Sequence, residues 1–357
     1  MPHAGVRRVA VVLGVALVLG LAPPALVEAA GEVGGTFTAL SYNVAGLPEP
    51  LSGSEPATNS PLISPLLNDY DLVLLQENWA DPFAEQRQAG LIPDEVPRLG
   101  YHDQVVADAD HPYRSEAAPS PPPPAIERVP TGPALTADGL NRLSRSPFGA
   151  LTRVMWNECH GELALEAAEQ ISDGSGVGDL LHDAGLGEIE DEIDGGATDC
   201  AAQKGFSVAR TALAPGVLVD VYNLHGEAGN REPSKAASRA GFEQLAAYIL
   251  EHSAGHAVIL GGDTNLHTDR PDRPFDADTW AGFLAATGLA DVCGTVDCGA
   301  DAGAIDKFAF RSAEGLEITP ESHTFERTKF TRDSDGAPLS DHDALAVTFR
   351  WVATGLG

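Results

Sequence analysis

Eight polar side chains in this sequence stand at the ends of apolar runs, and their types suit a metal-dependent acid–base centre. Asn43 closes "TFTALSYN", Glu77 closes "DYDLVLLQE", His225 closes "VLVDVYNLH", and Asp263 and Asn265 follow "HAVILGG". Asp306 opens "IDKFAF", and Asp341 and His342 open "SDHDALAVTFRW". Carboxylate and amide oxygens are ligands of hard divalent cations, and a histidine beside a carboxylate carries protons near neutral pH. A single turn of this kind is ordinary, because Gly, Asp and Asn all suit tight turns. Six strand ends that together supply this set are not, since a carboxylate at a buried strand end is costly unless something compensates it.

The elements that must position these residues are legible as patterns. Four apolar strands finish on Asn43, Glu77, His225 and Asp263/Asn265, and two more start from Asp306 and Asp341/His342. If the last strands run antiparallel to the others, all six ends meet on one edge of a mixed sheet arrangement. "SKAASRAGFEQLAAYILEHS" reads as an amphipathic helix with Phe242, Leu245, Ala246 and Ile249 on one side. Gly261 and Gly262 read as residues that let the backbone turn close to the ligands.

Between these elements, "LPEPLSGSEPATNSPL" reads as loop, and "DGLNRLSRSPFG" as a short strand. The stretch His111–Pro133 contains "PSPPPP" and reads as an exposed polyproline-like insertion, about 111–136. A second, acidic insertion spans about 160–199, with a helical start in "ELALEAAEQI". Its "DGSGVGD" lacks the ligand spacing and closing glutamate of a calcium loop.

With 357 residues, 43% hydrophobic and 21% charged, the chain can bury a sizeable core. Its formal net charge is −30, and Lys204, Lys235, Lys307 and Lys329 are its only lysines. So negative a surface disfavours nucleic acid and anionic lipid; it suits divalent cations and a neutral or zwitterionic partner. Residues 1–29 carry Arg7 and Arg8, an apolar run and small residues before Ala29, the layout of a secretory signal peptide. Secretion to an extracellular or periplasmic space makes the even cysteine count a sign of two disulfides. Four cysteines permit three pairings; Cys159–Cys200 and Cys293–Cys298 are favoured. Zinc is the competing reading, with no C-x-x-C pair or nearby histidine to support it.

The ordered set "SYN", "QE", "NLH", "GDTN", "ID" and "SDH" resembles the endonuclease/exonuclease/phosphatase superfamily, the deoxyribonuclease I-like fold, from about Thr36 to Trp351. Within it, "LLQENWADPF", "KGFSVAR", "NLHGEAG" with a following helix carrying Arg239, and "FTRDSDGAPLSDHDALAVTF" are similar to the neutral sphingomyelinases. The resemblance implies an α+β, four-layer α/β/β/α sandwich: two mixed β-sheets face to face, with helices outside. Residues 30–357 then form one phosphodiesterase domain. The long aromatic hairpin by which secreted bacterial members touch membranes has no obvious counterpart here.

The resemblance also implies roles. Mg²⁺, one ion or two, with Mn²⁺ or Co²⁺ able to stand in, is held first by Glu77, supported by Asn43 and Asp341. Asp263 and His342 polarise the attacking water, and Asp306 holds the His342 tautomer. Asn265 donates to a phosphoryl oxygen or supports the metal, and His225 donates to the phosphoryl group or the leaving oxygen. A second metal would draw on Asp263, Asn265 and His342. The implied reaction is hydrolysis of a phospholipid head-group ester, sphingomyelin to ceramide and phosphocholine, by a monomer at a membrane surface without a stable nucleic-acid partner.

Several neighbours have two readings. Trp79 and Phe83 read as core, or as a lining for a choline group, which an aromatic face attracts. Lys204 reads as a phosphate contact or as a surface lysine, and His256, His267 and His323 as loop or surface residues or as substrate contacts. A secreted nuclease of the same fold is the alternative function and would need a basic groove. A polyphosphoinositide phosphatase would need more lysine and arginine than the chain has. A catalytically silent binding protein would have lost one of the motif residues, and none is missing.

Overall fold

The computed structural model describes residues 1, 32–49, 52, 54–93, 98–118, 137–160 and 203–355. The expected signal peptide, the polyproline run and the acidic insertion lie outside them, apart from their edges.

Two crossover units establish the geometry. β1 (Val33–Asn43) leads through α1 (Pro56–Leu66) to β2 (Leu72–Gln76), which pairs with it in parallel. β7 (Val217–His225) leads through α4 (Glu232–His252) to β8 (Val258–Asp263), also parallel. A parallel pair needs such a crossover, and each crossover returns the chain so that both strand ends point the same way. The closing strands run against them: β10 (Asp306–Arg311) pairs antiparallel with β8, and β12 (Leu345–Ala353) with β1. Their starts therefore meet the ends of the parallel strands, as the sequence pattern requires.

The remaining strands are β3 (Tyr113–Arg114), β4 (Asn141–Ser144), β5 (Thr152–Met155), β6 (Gly205–Ala214), β9 (Ala290–Asp291) and β11 (Leu316–Phe325). The six-stranded sheets have the orders β11-β12-β1-β2-β4-β3 and β5-β6-β7-β8-β10-β9. Two further short helices, α2 (Ala84–Gln88) and α3 (His102–Val105), follow β2, and α5 (Pro274–Thr287) follows β8.

Strand alternation divides the core into three layers. Ala39, Leu74, Val221, Ile259, Phe308 and Phe349 pack between the sheets. Leu40, Tyr42, Val73 and Leu75 face outward onto Ile63 and Leu67 beneath α1. Tyr222, Leu224 and Leu260 face outward onto Phe242, Leu245, Ile249, Trp280 and Phe283 of α4 and α5. This is the expected helix–sheet–sheet–helix sandwich.

Four local readings are corrected. The stretch "PATNSPL", read as loop, starts α1: Pro56 occupies the first turn, where no N–H is needed, and burial of Ile63 and Ser64 carries the helix past Pro61 and Pro65. The start of the polyproline-like insertion is exposed at Pro112–Arg114 as expected but not irregular: Tyr113 pairs with Ser144, and buried His111 reaches the Tyr70 carbonyl at 2.8 Å. β11 forms where the sequence pattern shows no strand; its Pro320 is tolerated because the strand is an edge and shifts register there. Gly261 and Gly262 lie inside β8 and make no turn. A Cβ on Gly261 would sit 2.4 Å from the Phe308 ring, and one on Gly262 2.1 Å from the Leu224 carbonyl oxygen.

The Cys293–Cys298 disulfide is present, with Cα atoms 5.4 Å apart. The expected Cys159–Cys200 bridge involves a residue outside the described ones. Among the described residues, no helix is long and apolar enough to cross a membrane.

Candidate active site

Strand register brings the polar ends together. His225 pairs with Asp263 across β7 and β8, and Asp306 pairs with the same Asp263 across β8 and β10. Asn43 pairs with Gln76 in the opposite sheet, which leaves Glu77 as the first residue beyond the strand. The three non-glycine residues with left-handed backbone among the described residues are Ala45, Glu77 and Asn265, at φ 47°, 53° and 54°. All three lie at this edge, where strained backbone costs on the order of 1–3 kcal/mol per residue.

Asn43 is the hub. Its Nδ2 lies 3.0 Å from Glu77 Oε1, 3.2 Å from Asp263 Oδ2 and 3.3 Å from His342 Nε2. Its Oδ1 accepts the Ala45 N–H at 3.1 Å. His225 Nε2 stands 3.4 Å from Asp263 Oδ2 and 3.7 Å from Glu77 Oε1. His342 Nδ1 meets Asp306 Oδ2 at 2.8 Å, and its Nε2 lies 3.7 Å from Asp263 Oδ2. Asn265 takes Asp263 Oδ1 on its backbone N–H at 2.9 Å, and its amide donates to the Gly226 carbonyl at 3.0 Å. That bond ties the loop after β8 to the loop after His225.

The two histidines are in opposite states for physical reasons. Burial holds His225 well below the usual histidine range, and nearby Lys204 adds to it, so its imidazole is neutral. Burial acts the same way on His342, but the Asp306 and Asp263 carboxylates outweigh it and hold the ring protonated. Asp263 is held below the carboxylate range despite its burial, because the charged His342 faces it and Lys204 adds to the effect. Burial raises Asp306 against the pull of His342. Glu77 is pushed up to about 7, by burial first and by the Asp341 charge second.

The donor set is oxygen-rich, as a hard divalent cation requires. Glu77 is under-compensated: its side chain is 18% exposed, yet its carboxyl is pushed up to about 7 with a neutral amide as hydrogen-bond partner. Added positive charge is what such a group lacks, so the residues fit. Asp263, Asp306 and His342 also offer ligand atoms within 4.8 Å of one another. Asp341 is exposed at the rim, accepting from Ser340 Oγ at 3.2 Å, while the same hydroxyl donates to the Asn43 carbonyl at 2.7 Å.

The ambiguous neighbours separate. Lys204 is not a surface lysine: it is 7% exposed and acts electrostatically on Glu77, His225 and Asp263. Trp79 is core, 3% exposed, with its Nε1 donating to the Ala137 carbonyl, whereas Phe83 is 39% exposed. His256 sits at the opposite end of β8 from Asp263 and pairs with Asp220 at 2.9 Å. Sequence reasoning missed the buried amides of Gln76, Asn141 and Asn223. For Gln76 and Asn223 the signal was present: a lone amide ending the apolar "LVLLQ" and another inside "VYNL".

The two sheets and their outer helices have the deoxyribonuclease I-like fold. Among solved structures, the chain is similar to a doubly substituted beta toxin from Staphylococcus aureus with bound magnesium ions. The identity is 11%, with 88% of this chain and 99% of that one covered, at a TM-score of 0.50. It is likewise similar to SmcL, at 13% identity, 88% and 99% coverage and a TM-score of 0.50. Among curated proteins, the chain is similar to sphingomyelinases of Mycobacterium bovis and Mycobacterium tuberculosis, 28% identical over 336 residues and 90% of this chain. It spans 54% of the length of those relatives. No family model matches the chain.

Proposed function

We propose that the chain is an exported, Mg²⁺-dependent phosphodiesterase that hydrolyses sphingomyelin or a related choline phospholipid to release phosphocholine. The observation that carries this reading is the Asn43 amide joining Glu77 of one sheet to Asp263 of the other, with His342 Nε2 3.3 Å away at the same edge. The similarity to mycobacterial sphingomyelinases supports the lipid substrate. The net charge of −30 supports a zwitterionic head group over a nucleic acid. The Cys293–Cys298 disulfide supports export.

Glu77, with Asn43 and Asp341 beside it, would hold the metal, and Mn²⁺ or Co²⁺ can stand in for Mg²⁺. The bound ion supplies charge to the phosphoryl oxygens and makes water more acidic. In its deprotonated form, reached as pH rises through its raised pKa, His342 takes the proton of the attacking water at Nε2. Asp306 holds Nδ1, and the same carboxylates that favour its protonated form strengthen it as a base. Asp263 orients that water. Neutral His225 donates Nε2–H to the phosphoryl group or the leaving oxygen, and the Asn265 amide has a second, weaker leg at 3.4 Å that can turn to a phosphoryl oxygen. The water oxygen bonds to phosphorus as the bond to the lipid oxygen breaks, with no covalent enzyme intermediate; the lipid oxygen, hydrogen-bonded by His225, leaves with a proton taken from water. The chain acts as a monomer at the lipid surface.

The test is a side-by-side assay on sphingomyelin micelles and plasmid DNA, with Mg²⁺ and with chelator. Metal-dependent phosphocholine release with intact DNA is expected. Nicked DNA with untouched lipid would transfer the reaction to nucleic acid.

A further inference from the structure

We propose that Gln76 and Asn223 are positioning residues: a buried amide pair, one residue below the site, that sets the distance between the sheets and so holds Glu77 opposite His225 and Asp263. This inference rests on the proposed metal role of Glu77.

The observation is a change of chemistry along one face. Between the sheets, Ala39, Leu74, Val221 and Ile259 are apolar and fully buried. Strand alternation puts Ser41, Asn43, Gln76, Asn223 and His225 on that same face. Ser41, Gln76 and Asn223 are each 0% exposed, so the hydrocarbon layer gives way to amides before the site begins. Apolar side chains would fill this space without needing partners, and a buried amide costs about 1–3 kcal/mol when left unpaired.

Here the amides span the gap. Gln76 Nε2 donates across it to Asn223 Oδ1 at 2.7 Å, and to Ser41 Oγ at 3.3 Å within its own sheet. Asn223 Nδ2 returns across the gap to the Leu75 carbonyl at 2.9 Å and the Asn141 carbonyl at 3.1 Å. Leu75 and Asn141 face each other in β2 and β4, so Asn223 grips two strands of the opposite sheet at once. Asn141 in turn donates to the carbonyl of Asn78, the residue after Glu77, at 2.7 Å. Glu77 is therefore bracketed by residues on both sides that are tied into this network. Apolar contacts are non-directional and tolerate sliding; hydrogen bonds of fixed length and direction do not.

The experiment compares wild type, Gln76→Asn, and Gln76→Asn with Asn223→Gln. The first shortens the bridge by one methylene, and the second supplies that methylene from the other sheet. Mn²⁺ affinity is measured without substrate by electron paramagnetic resonance, beside melting temperature and the kcat and KM for lipid. Gln76→Asn is expected to weaken Mn²⁺ binding and lower kcat, each by about 10–100-fold, with KM unchanged. The double variant is expected to recover most of both. If Gln76→Asn does not fold, Gln76→Met with Asn223→Leu replaces the pair by hydrocarbon, and the same losses are expected.

Wild-type Mn²⁺ affinity in a folded Gln76→Asn or Gln76→Met/Asn223→Leu protein would overturn the inference. So would a double swap that regains melting temperature but not affinity. A chain that cleaves no lipid but loses Mn²⁺ affinity on Gln76→Asn refutes the lipid reading and keeps this one. A wild-type chain that binds no Mn²⁺ refutes the positioning role.

Discussion

Glu77 and Asp263, 186 positions apart on different sheets, share one amide: Asn43 Nδ2 stands 3.0 Å from the first and 3.2 Å from the second. Acidic groups of the two sheets are thus joined by a neutral donor. Such a donor satisfies lone pairs without neutralising charge, and the predictions about the metal follow from that.

Glu77 binds a proton more tightly in the folded, metal-free chain, near pH 7, than at the ordinary carboxyl value of 4.5. The folded state therefore loses stability as pH rises between those values. With chelator at pH 8, Glu77→Gln is expected to melt a few degrees above wild type. Saturating Mg²⁺ should reverse that order, because only the carboxylate gains from the cation. Thermal melts of both proteins in both buffers check this, and an unchanged order in Mg²⁺ would remove Glu77 as a ligand.

His342→Ala and His225→Ala should each lower turnover by about 10²–10⁴-fold. Asp306→Asn should lower it by about 10–100-fold. The last variant has a further signature. Asp306 raises the His342 pKa, so its removal should move the acid limb of the pH–rate profile to lower pH. Rates measured from pH 5 to 9 decide it, and a limb that stays in place would dissociate His342 from the proton transfer.

At the far end of β8, Asp220 meets Arg210 at 2.7 Å, Ser253 at 2.8 Å and His256 at 2.9 Å. Burial acts to raise this carboxyl, but the three hydrogen bonds outweigh it and hold it below the usual range. A depressed carboxyl stabilises the fold above its ordinary pKa, and the gain is lost as pH falls through the folded value. Asp220→Asn should cost about 1.5–3 kcal/mol at pH 7, and the gap to wild type should narrow below about pH 4. Urea midpoints at both pH values test this without touching the active edge.

Cys293→Ser with Cys298→Ser should cost about 2 kcal/mol, the chain-entropy value for so short a loop. Thiol titration of the denatured wild-type protein should find neither of these cysteines free, and a free thiol on either would refute the bridge as a constitutive feature.

Periodicity alone located the β7–α4–β8 crossover unit and the two strands of the other, because buried strands and an amphipathic helix such as Glu232–His252 leave repeats of two and 3.6 in the hydrophobic pattern. It also located every residue of the edge, since a polar residue terminating an apolar run is a local signal. Elements whose stability is not local escaped it. α1 holds Pro61 and Pro65 and is helical because its own Ile63 is buried against β1 and β2; β11 holds Pro320 and is a strand because β12 lies beside it. The sequence therefore determined which side chains compete for one edge and which strands bring them there. Only the tertiary structure decided their states. Lys204 is buried rather than exposed, His225 is neutral while His342 is charged, and the Asn43 nitrogen faces the carboxylates. Protonation and hydrogen-bond direction depend on distance and dielectric between groups from separate strands, and no pattern along a single strand contains those quantities.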